Sequence, residues 1–313
     1  MNQGKRSLAV DLGGLVVPTP VMIASGCAGT GRELAGLVEL RKVGGVVTRT
    51  ITVEPRQGAA PPRISETRSG IVWNTGMQNP GIDVFIGAEL PAWGKAGTPL
   101  IVSIGGGTLE EYVRLTGALQ GQPGVHGIEV DLSGPDDELE RPMLGAHVDR
   151  VSEIVGAVAR MSLVPVFAKV PGGIDVVPIA IAAARAGATG LTLTGSPPAF
   201  AVDASSMRPT LGAGAGWLSG PALKPLTLRA IAEVARALPR MPLLASGGIS
   251  TSLDAIEALV AGATAVQVGV AVMIDPTAPV SIAQGIVAEL KRRSLLSPMQ
   301  LRGAMRTAEA TAT

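Results

Sequence analysis

The amino-acid sequence predicts one α/β domain, an eight-stranded parallel (β/α)8 TIM barrel. Two observations lead to this prediction: eight short apolar runs recur along the chain, and helical patterns separate most of them. The runs are rich in β-branched residues and apolar on both faces, as strands of a parallel sheet covered on both sides are. The length of 313 residues suits a single barrel, and no linker divides the chain.

The predicted strands follow one another through the whole domain. They are VMIASGC at 21–27, GGVVTRT at 44–50, LIVSIGG at 100–106, GIEVDLS at 127–133, PVFAKV at 165–170, GLTLTG at 190–195, PLLASGG at 242–248 and AVQVGVAVM at 265–273. Helical periodicity predicts helices at 31–43, 174–187, 226–238 and 253–262. The barrel is therefore expected over about residues 8–293, followed by a frayed tail at 294–313.

The stretch 51–99 is long and rich in Pro and Gly, which predicts an elaborated loop over the C-terminal mouth of the barrel. Active sites of such barrels lie at the C-terminal ends of the strands. The ends of the predicted strands should therefore form one ring of functional residues beneath this loop.

Composition and charge exclude several classes of function. Lys and Arg number 26 against 25 Asp and Glu, so the net charge is +1, and aromatic residues make up only 2%. This balance argues against nucleic-acid binding. Cys27 is the only cysteine, which excludes a disulfide framework and a cysteine-ligated iron–sulfur site. His126 and His147 lie far apart without ligand-like neighbours, so no metal site is predicted.

The hydropathy pattern predicts no association with a membrane. The first residues, MNQGKRSLAVDLGG, lack the apolar core of a signal peptide. The longest charge-free apolar stretch, 258–274, contains Gly262, Gln267 and Gly269 and is typical of a helix end, a turn and a buried strand. We therefore expect a cytoplasmic protein.

Glycine-rich turns are concentrated in the last third of the chain. ASGGIS at 245–250 and VGVAVM at 268–273 follow the seventh and eighth predicted strands, and LSGPALKP at 218–225 leads into a helix. Each turn alone is equally explained by the geometry of a tight strand-to-helix connection. Together they favour a phosphate-bearing cofactor, because glycine lets backbone N–H groups approach an anion closely.

Several of these stretches resemble the dihydroorotate dehydrogenase family, class 1 branch, over residues 8–276. The matching segments, in chain order, are IASGCAGTGRE at 23–33, EPRQGAAPPRISET at 54–67, TGMQNPGID at 75–83, LSGPALKP at 218–225, SGGI at 246–249 and VGVA at 268–271. The resemblance implies bound FMN that exchanges a hydride at its N5 atom. It also implies which residues surround the flavin: Ser25, Arg49, Thr50, Ser103, Asp131, Lys169, Thr194, Gly220, Gly247, Gly248, Gly269 and Val270.

Lys169 matches a family lysine beside the N1–C2=O edge of the flavin. A cation at that edge stabilises the negative charge of the reduced ring. The alternative is a structural ion pair inside the barrel, with Asp131 as the expected partner.

The match fails in the loop after the fourth strand. The family has a Cys or Ser there that takes a proton from dihydroorotate, whereas this chain has Gly134, which has no side chain. Family asparagines that contact orotate become Asp131 and Asp136, and these two acids with Lys169 are the candidate catalytic residues. Ser133 is a possible substitute base, although a structural role is favoured.

Other substrate positions differ as well. By the resemblance, the residues facing the substrate are Arg49, in place of a lysine, Trp73 and Asn74 on the long loop, and Gly195 and Ser196 after the sixth strand. Trp73 is either a lid that stacks on a flat substrate or a packing residue.

Acidic residues crowd the loop after the fourth strand, five of them between positions 131 and 140. Their charge would repel an anion such as orotate. The sequence therefore predicts an FMN-dependent oxidoreductase acting on a CH–CH or CH–NH group of another small molecule, neutral or cationic, in specialised metabolism. Two alternatives stay open: a genuine dihydroorotate dehydrogenase with an unusual base, and a flavin-binding protein without catalysis. The family resemblance implies a homodimer and leaves open an iron–sulfur partner subunit for electron transfer.

Overall fold

The computed structural model describes residues 6–133 and 144–306. Eight parallel strands form a closed barrel, which confirms the predicted fold class. We number only the barrel strands, in chain order: β1 Val21–Ile23, β2 Val46–Val47, β3 Leu100–Ile104, β4 Gly127–Asp131, β5 Val166–Val170, β6 Gly190–Leu193, β7 Leu243–Ser246 and β8 Ala265–Val268. Each strand lies within one of the eight predicted runs.

Helices surround the barrel and connect its strands. The α-helices are Arg32–Ala35, Ile82–Val84, Leu90–Trp93, Leu109–Leu119, Val148–Met161, Val176–Arg185, Lys224–Ala237, Ser252–Ala261, Val270–Ile274 and Ala278–Arg292. Short 3-10 turns occupy Leu40–Lys42, Leu144–Ala146, Pro221–Leu223 and Pro298–Gln300, and a π-helical turn spans Phe85–Glu89. Among the residues that the structure describes, no helix is both long and apolar enough to cross a lipid bilayer.

Three sequence-based boundaries are wrong. The predicted helix 31–43 reduces to Arg32–Ala35, because Gly36 ends it, and a separate 3-10 turn follows at Leu40–Lys42. The eighth strand ends at Val268, and a short helix begins at Val270. The tail is not frayed up to residue 306: the Ser7 N–H donates to the Leu296 carbonyl, and Arg302 donates to the Met241 carbonyl at 2.6 Å.

A short hairpin closes the N-terminal end of the barrel. Its strands, Val10–Asp11 and Val16–Val17, place Leu12 and Leu15 against barrel residues. The barrel side of this cluster consists of Met22, Val47, Ile101, Phe167, Leu244 and Ala265. This end of the barrel is therefore a dry apolar core.

A second sheet covers the opposite, C-terminal mouth, where the long loop was predicted. It is antiparallel, in the order Pro198–Phe200, Ala215–Ser219, Gly70–Trp73 and Ile64–Thr67. A two-stranded ribbon, Val202–Asp203 with Arg208–Pro209, extends from it. The sheet joins the loop after β2 to the loop after β6, so the roof of the mouth is made of hydrogen-bonded strands.

Candidate active site

A cavity of about 350 Å³ lies between the C-terminal strand ends and this second sheet. Fourteen of the predicted site residues lie in its wall, although their individual roles remain predictions. They are Ser25, Arg49, Thr50, Trp73, Asp131, Lys169, Thr194, Gly195, Ser196, Gly220, Gly247, Gly248, Gly269 and Val270. The strand-end rule for barrels therefore located the cavity correctly.

Two predicted residues do not reach the cavity. Ser103 is fully buried, and its hydroxyl lies 3.1 Å from Thr50 Oγ1, so it supports the wall from behind. Asn74 is also buried, because its amide donates to the Ala215 carbonyl while its oxygen accepts from the Gly76 N–H. Asn74 thus stabilises the second sheet through these hydrogen bonds. Gly134 and Asp136 lie outside the described residues.

Asp131 stands at the end of β4 with both carboxylate oxygens already hydrogen-bonded. Oδ2 accepts from the Thr50 hydroxyl at 2.9 Å, and Oδ1 accepts from the Ser133 N–H at 3.1 Å. The Asp131 carbonyl accepts from the Tyr112 hydroxyl at 2.6 Å. Burial and the nearby Asp131 charge raise the pKa of Tyr112, which keeps this hydroxyl a donor. The arrangement holds the strand end rigidly and engages much of the acceptor capacity of Asp131.

Lys169 points into the cavity from β5, and its ion-pair partner is Glu129, where the sequence suggested Asp131. Its Nζ lies 3.9 Å from Oε1 of Glu129, two residues before Asp131 on β4. Sequence reasoning missed Glu129, although a charged residue inside an otherwise apolar strand was a usable signal. Glu129 is fully buried one step deeper in the barrel, so the floor of the cavity has an acidic side chain below its lysine.

Three glycines with positive φ shape the turns at the far side of the cavity. They are Gly220 at +108°, Gly247 at +114° and Gly248 at +76°. A Cβ on Gly248 would lie 2.3 Å from Lys224 N, so this glycine is required where the turn packs on the helix Lys224–Ala237. The sequence suggested that glycine is needed at this turn to let a phosphate approach. In the structure, the adjacent backbone of Lys224 already accounts for the glycine at position 248.

The turn after β7 is fixed to the next helix by a polar cluster. Asp254 accepts from the Ser250 and Thr251 N–H groups, and Lys224 donates to Asp254 at 2.8 Å. Although burial raises it, the hydrogen bonds from Lys224 and Thr251 hold the pKa of Asp254 below its usual value. The cluster stabilises the backbone that faces the cavity.

The roof contributes a chain of polar groups that the sequence did not reveal. Trp73 Nε1 donates to Ser219 Oγ at 2.8 Å, and Ser219 Oγ lies 2.6 Å from Ser196 Oγ. The indole is therefore anchored within the second sheet while it also lines the cavity. Further residues of the wall that sequence reasoning did not select are Ile64, Ile71, Thr75, Met77, Gln78, Ser219, Ser246 and Ser250.

Cys27 lies in the turn after β1, at the cavity wall. Burial raises the pKa of its thiol to about 11, and the opposing effect of the Lys169 charge is smaller. The thiol is therefore neutral near pH 7 and poorly nucleophilic.

The described wall carries charged side chains of both signs. Two cations, Arg49 and Lys169, face one acid, Asp131, whose oxygens are hydrogen-bonded. Within residues 6–133 and 144–306, Arg49 has neither a hydrogen bond nor an ion pair to its guanidinium. The acids at 136, 137, 138 and 140, on which the expected cationic preference depended, lie outside the described residues.

The wall also fits the FMN that the family resemblance implies. Lys169 offers a cation at the floor, where a reduced flavin would need one. Glycine turns after β7 and β8 offer backbone N–H groups for a phosphate. Space remains above Gly269, because a Cβ there would have no neighbour closer than 3.7 Å.

Comparison with known proteins gives a family for the whole barrel. The family model described as dihydroorotate dehydrogenase matches residues 7–290. The chain is 39% identical over 305 residues to the dihydroorotate dehydrogenase B (NAD(+)) catalytic subunit of Geotalea uraniireducens, covering 97% of this chain and 100% of the relative. The corresponding subunit of Pelobacter propionicus is 40% identical over 302 residues, covering 96% and 99%, and that of Geobacillus kaustophilus is 40% identical over 270 residues, covering 86% of each.

These matches extend over the strands and turns that build the cavity. They confirm the predicted family, the predicted cofactor and the predicted reaction class, and they favour the dihydroorotate alternative over a different substrate. The chain belongs to the dihydroorotate dehydrogenase family of FMN-dependent oxidoreductases acting on CH–CH groups.

Proposed function

We propose that this protein oxidises dihydroorotate, as the FMN-bearing catalytic subunit of a dihydroorotate dehydrogenase. The observation that carries the proposal is the charge of the cavity wall: the guanidinium of Arg49 is unpaired among the described residues, and Asp131 is already hydrogen-bonded. Dihydroorotate carries a carboxylate, which an arginine can bind through two parallel hydrogen bonds. The names of the relatives support the same substrate.

In this proposal, the residues of the wall divide into two groups. Lys169 and the glycine turns at 247–248 and 269 hold the flavin, while Arg49 and Ser196 orient the substrate. The bound flavin supplies the acceptor for the hydride. The chain supplies binding, alignment and exclusion of water, because the second sheet covers the mouth.

The proton of the substrate has no obvious acceptor, because position 134 is glycine. The nearest described hydroxyl in the same loop belongs to Ser133, and a Cβ on Gly195 would lie 3.3 Å from its Oγ. Ser133 therefore lies beside a residue of the cavity wall, although no described group is positioned to activate it as a base. We infer that flavin reduction by dihydroorotate is slow in this protein, since a positioned base usually contributes a factor of about 10² or more.

The test is an anaerobic stopped-flow experiment that follows bleaching of the flavin by excess dihydroorotate. We expect slow bleaching in the wild type and a rate higher by about 10² in Gly134→Cys. Gly134→Ala is the matched control, because it adds a Cβ without a group that accepts a proton, and it should leave the rate unchanged. Loss of the rate in Arg49→Met would support the carboxylate contact.

A second candidate function is oxidation of a different small molecule, neutral or cationic. The specific observation behind it is that Asp131 and Gly134 replace the amide and the base that the family resemblance implies. If dihydroorotate bleaches neither the wild type nor Gly134→Cys, both carrying FMN, the dihydroorotate proposal is wrong and this candidate takes its place.

The names of the relatives support a proposal for the final electron acceptor. They are called catalytic subunits and NAD(+) enzymes, which supports a second subunit that carries electrons to NAD+. We propose such a partner for this chain, and an iron–sulfur centre in it would suit one-electron transfer from a flavin. Co-purification of a tagged chain from its source, followed by assay of NAD+ reduction, tests the partner. Light scattering of the isolated chain tests the predicted homodimer.

A further inference from the structure

A polar layer lies inside the barrel directly below the floor of the cavity. Glu129 of β4 accepts from the Thr192 hydroxyl at 2.8 Å and from the Gln267 amide at 3.2 Å, both through Oε2. All three side chains are almost fully buried. They come from alternate strands, β4, β6 and β8, as one layer of a (β/α)8 barrel does.

The neighbouring layers show that this polarity is local. Towards the N-terminal end, Met22, Ile101, Phe167 and Leu244 form the apolar cluster with the hairpin. On β3, β5 and β7, the residues two positions after Ile101, Phe167 and Leu244 are Ser103, Lys169 and Ser246. Their side chains therefore point to the same face of each strand, the barrel interior. A carboxylate between an apolar core and a ligand cavity costs desolvation energy, and stability alone does not account for it.

One oxygen of Glu129 is left for a charged neighbour. Oε1 has no hydrogen-bond partner among the described residues, and it lies 3.9 Å from Lys169 Nζ. Within the described part of the chain, the other charged or titratable groups near this lysine include Asp131 on β4, its partner in strand register, Cys27 after β1 and Arg49 after β2. Asp131 accepts two hydrogen bonds from neutral donors and keeps its charge in every variant compared below, and burial keeps Cys27 neutral.

We propose that Glu129 is a positioning residue that keeps Lys169 charged and aimed at the flavin in both redox states. The inference rests on the proposed contact between Lys169 and the flavin. The carboxylate below the lysine compensates its charge before any electron arrives. The negative charge of the reduced flavin then meets an existing cation, and Lys169 takes up no proton.

The consequence is a change in proton stoichiometry when the charge of Glu129 is removed. In Glu129→Gln, the lysine is a partly buried cation that lacks the Glu129 carboxylate, and desolvation favours its neutral form while the flavin is oxidised. Flavin reduction then draws one proton from solvent to Nζ, in addition to any proton that the flavin itself takes up. Two electrons therefore enter with one more proton than in the wild type.

The number of protons taken up is measured by the pH dependence of the midpoint potential of the bound flavin between pH 6 and pH 9. One additional proton changes the equilibrium tenfold per pH unit, which for two electrons is about 30 mV. We expect the slope of potential against pH to be steeper by that amount in Glu129→Gln. Glu129→Asp should retain the wild-type slope, because it keeps a carboxylate on the same strand.

Two control variants separate charge from packing. Lys169→Met combined with Glu129→Gln should return to the wild-type slope, because no amine remains to titrate. Thr192→Val removes a hydrogen bond of the layer without changing its charge, and its slope should also match the wild type. A purely structural role of Glu129 would change FMN occupancy or melting temperature and leave every slope alike.

Each outcome of this set is decisive. An unchanged slope in Glu129→Gln with normal FMN content overturns the inference and leaves the proposed function intact, whereas a wild type that never binds FMN overturns the proposed function. If Glu129→Gln does not fold but the double variant does, the uncompensated lysine is the cause and the pairing is supported. If neither folds, Glu129 is a packing residue and the inference is wrong.

Discussion

Replacement of Asp131 by asparagine tests which charge the substrate half of the cavity prefers. The substitution is nearly isosteric, and the surrounding hydrogen bonds can adapt to it. The oxygen that accepts from the Ser133 N–H stays, and an amide N–H would donate to Thr50 Oγ1, whose own hydroxyl can turn to Ser103 at 3.1 Å. The variant therefore removes one negative charge without stranding a buried polar group.

The magnitude follows from the position of Asp131 in the cavity wall. At a separation of about 8 Å and an effective dielectric of about 20, Coulomb repulsion of a ligand carboxylate is about 2 kcal/mol. Salt and the partial exposure of the cavity reduce this, so we expect Asp131→Asn to bind orotate about tenfold more tightly.

Titration of orotate against the absorbance of the oxidised flavin measures this affinity. Asp149→Asn, on the exposed face of the helix Val148–Met161, is the matched control. It changes the net charge by the same amount, and Asp149 does not line the cavity. The gain should shrink at high ionic strength. Unchanged or weaker orotate binding in Asp131→Asn would refute the anion-preferring cavity and favour the cationic substrate expected from the sequence.

Three further predictions concern the cavity turns and the thiol. Gly248→Ala should lower the melting temperature and the FMN content of the purified protein, because its Cβ would meet Lys224 N; Gly97→Ala, with a similar φ of +66° but open space, should cause the smaller loss. Asp254→Asn should destabilise the protein at pH 7. Because the folded pKa of Asp254 is lowered, the difference in melting temperature from the wild type should begin to shrink below about pH 4 and disappear as the pH falls through that lowered pKa. Alkylation of Cys27 by iodoacetamide, followed by mass spectrometry, should be slow at pH 8 in the folded protein and fast in denaturant, since its pKa is about 11; equal rates would show that the thiol is accessible.

The barrel could be predicted from the sequence because its strands are short, apolar and separated by turn residues. Two kinds of element were described wrongly: a helix interrupted by glycine, and a sheet formed by distant segments. The helix predicted at 31–43 has the right periodicity, yet Gly36 divides it. The second sheet pairs Gly70–Trp73 with Ala215–Ser219, about 145 residues apart, and no local pattern announces such a pairing.

The position of the site could be predicted from the sequence, but the contacts and orientations of its side chains could be predicted only in part. Strand-end reasoning found the position of the wall, since the ends of parallel strands meet at one edge. It placed Asn74 in the cavity because the sequence does not show which way a side chain on an irregular loop turns. It overlooked Glu129 because strand interiors were treated as packing, although a carboxylate flanked by Ile128 and Val130 is unusual there.

The errors at Asp131 and Glu129 have a common source. A sequence shows the order of acids along the chain, but it does not show which groups each acid contacts. Asp131 was treated as a free charge facing the substrate, while the structure engages it through Thr50 and Ser133. Glu129 was not counted, yet its Oε1 lies 3.9 Å from Lys169 Nζ. Arg49 is then the cation of the wall that no described acid pairs at ion-pair distance, while Asp131 keeps its negative charge. An anion such as dihydroorotate, the substrate proposed above, would match this arginine.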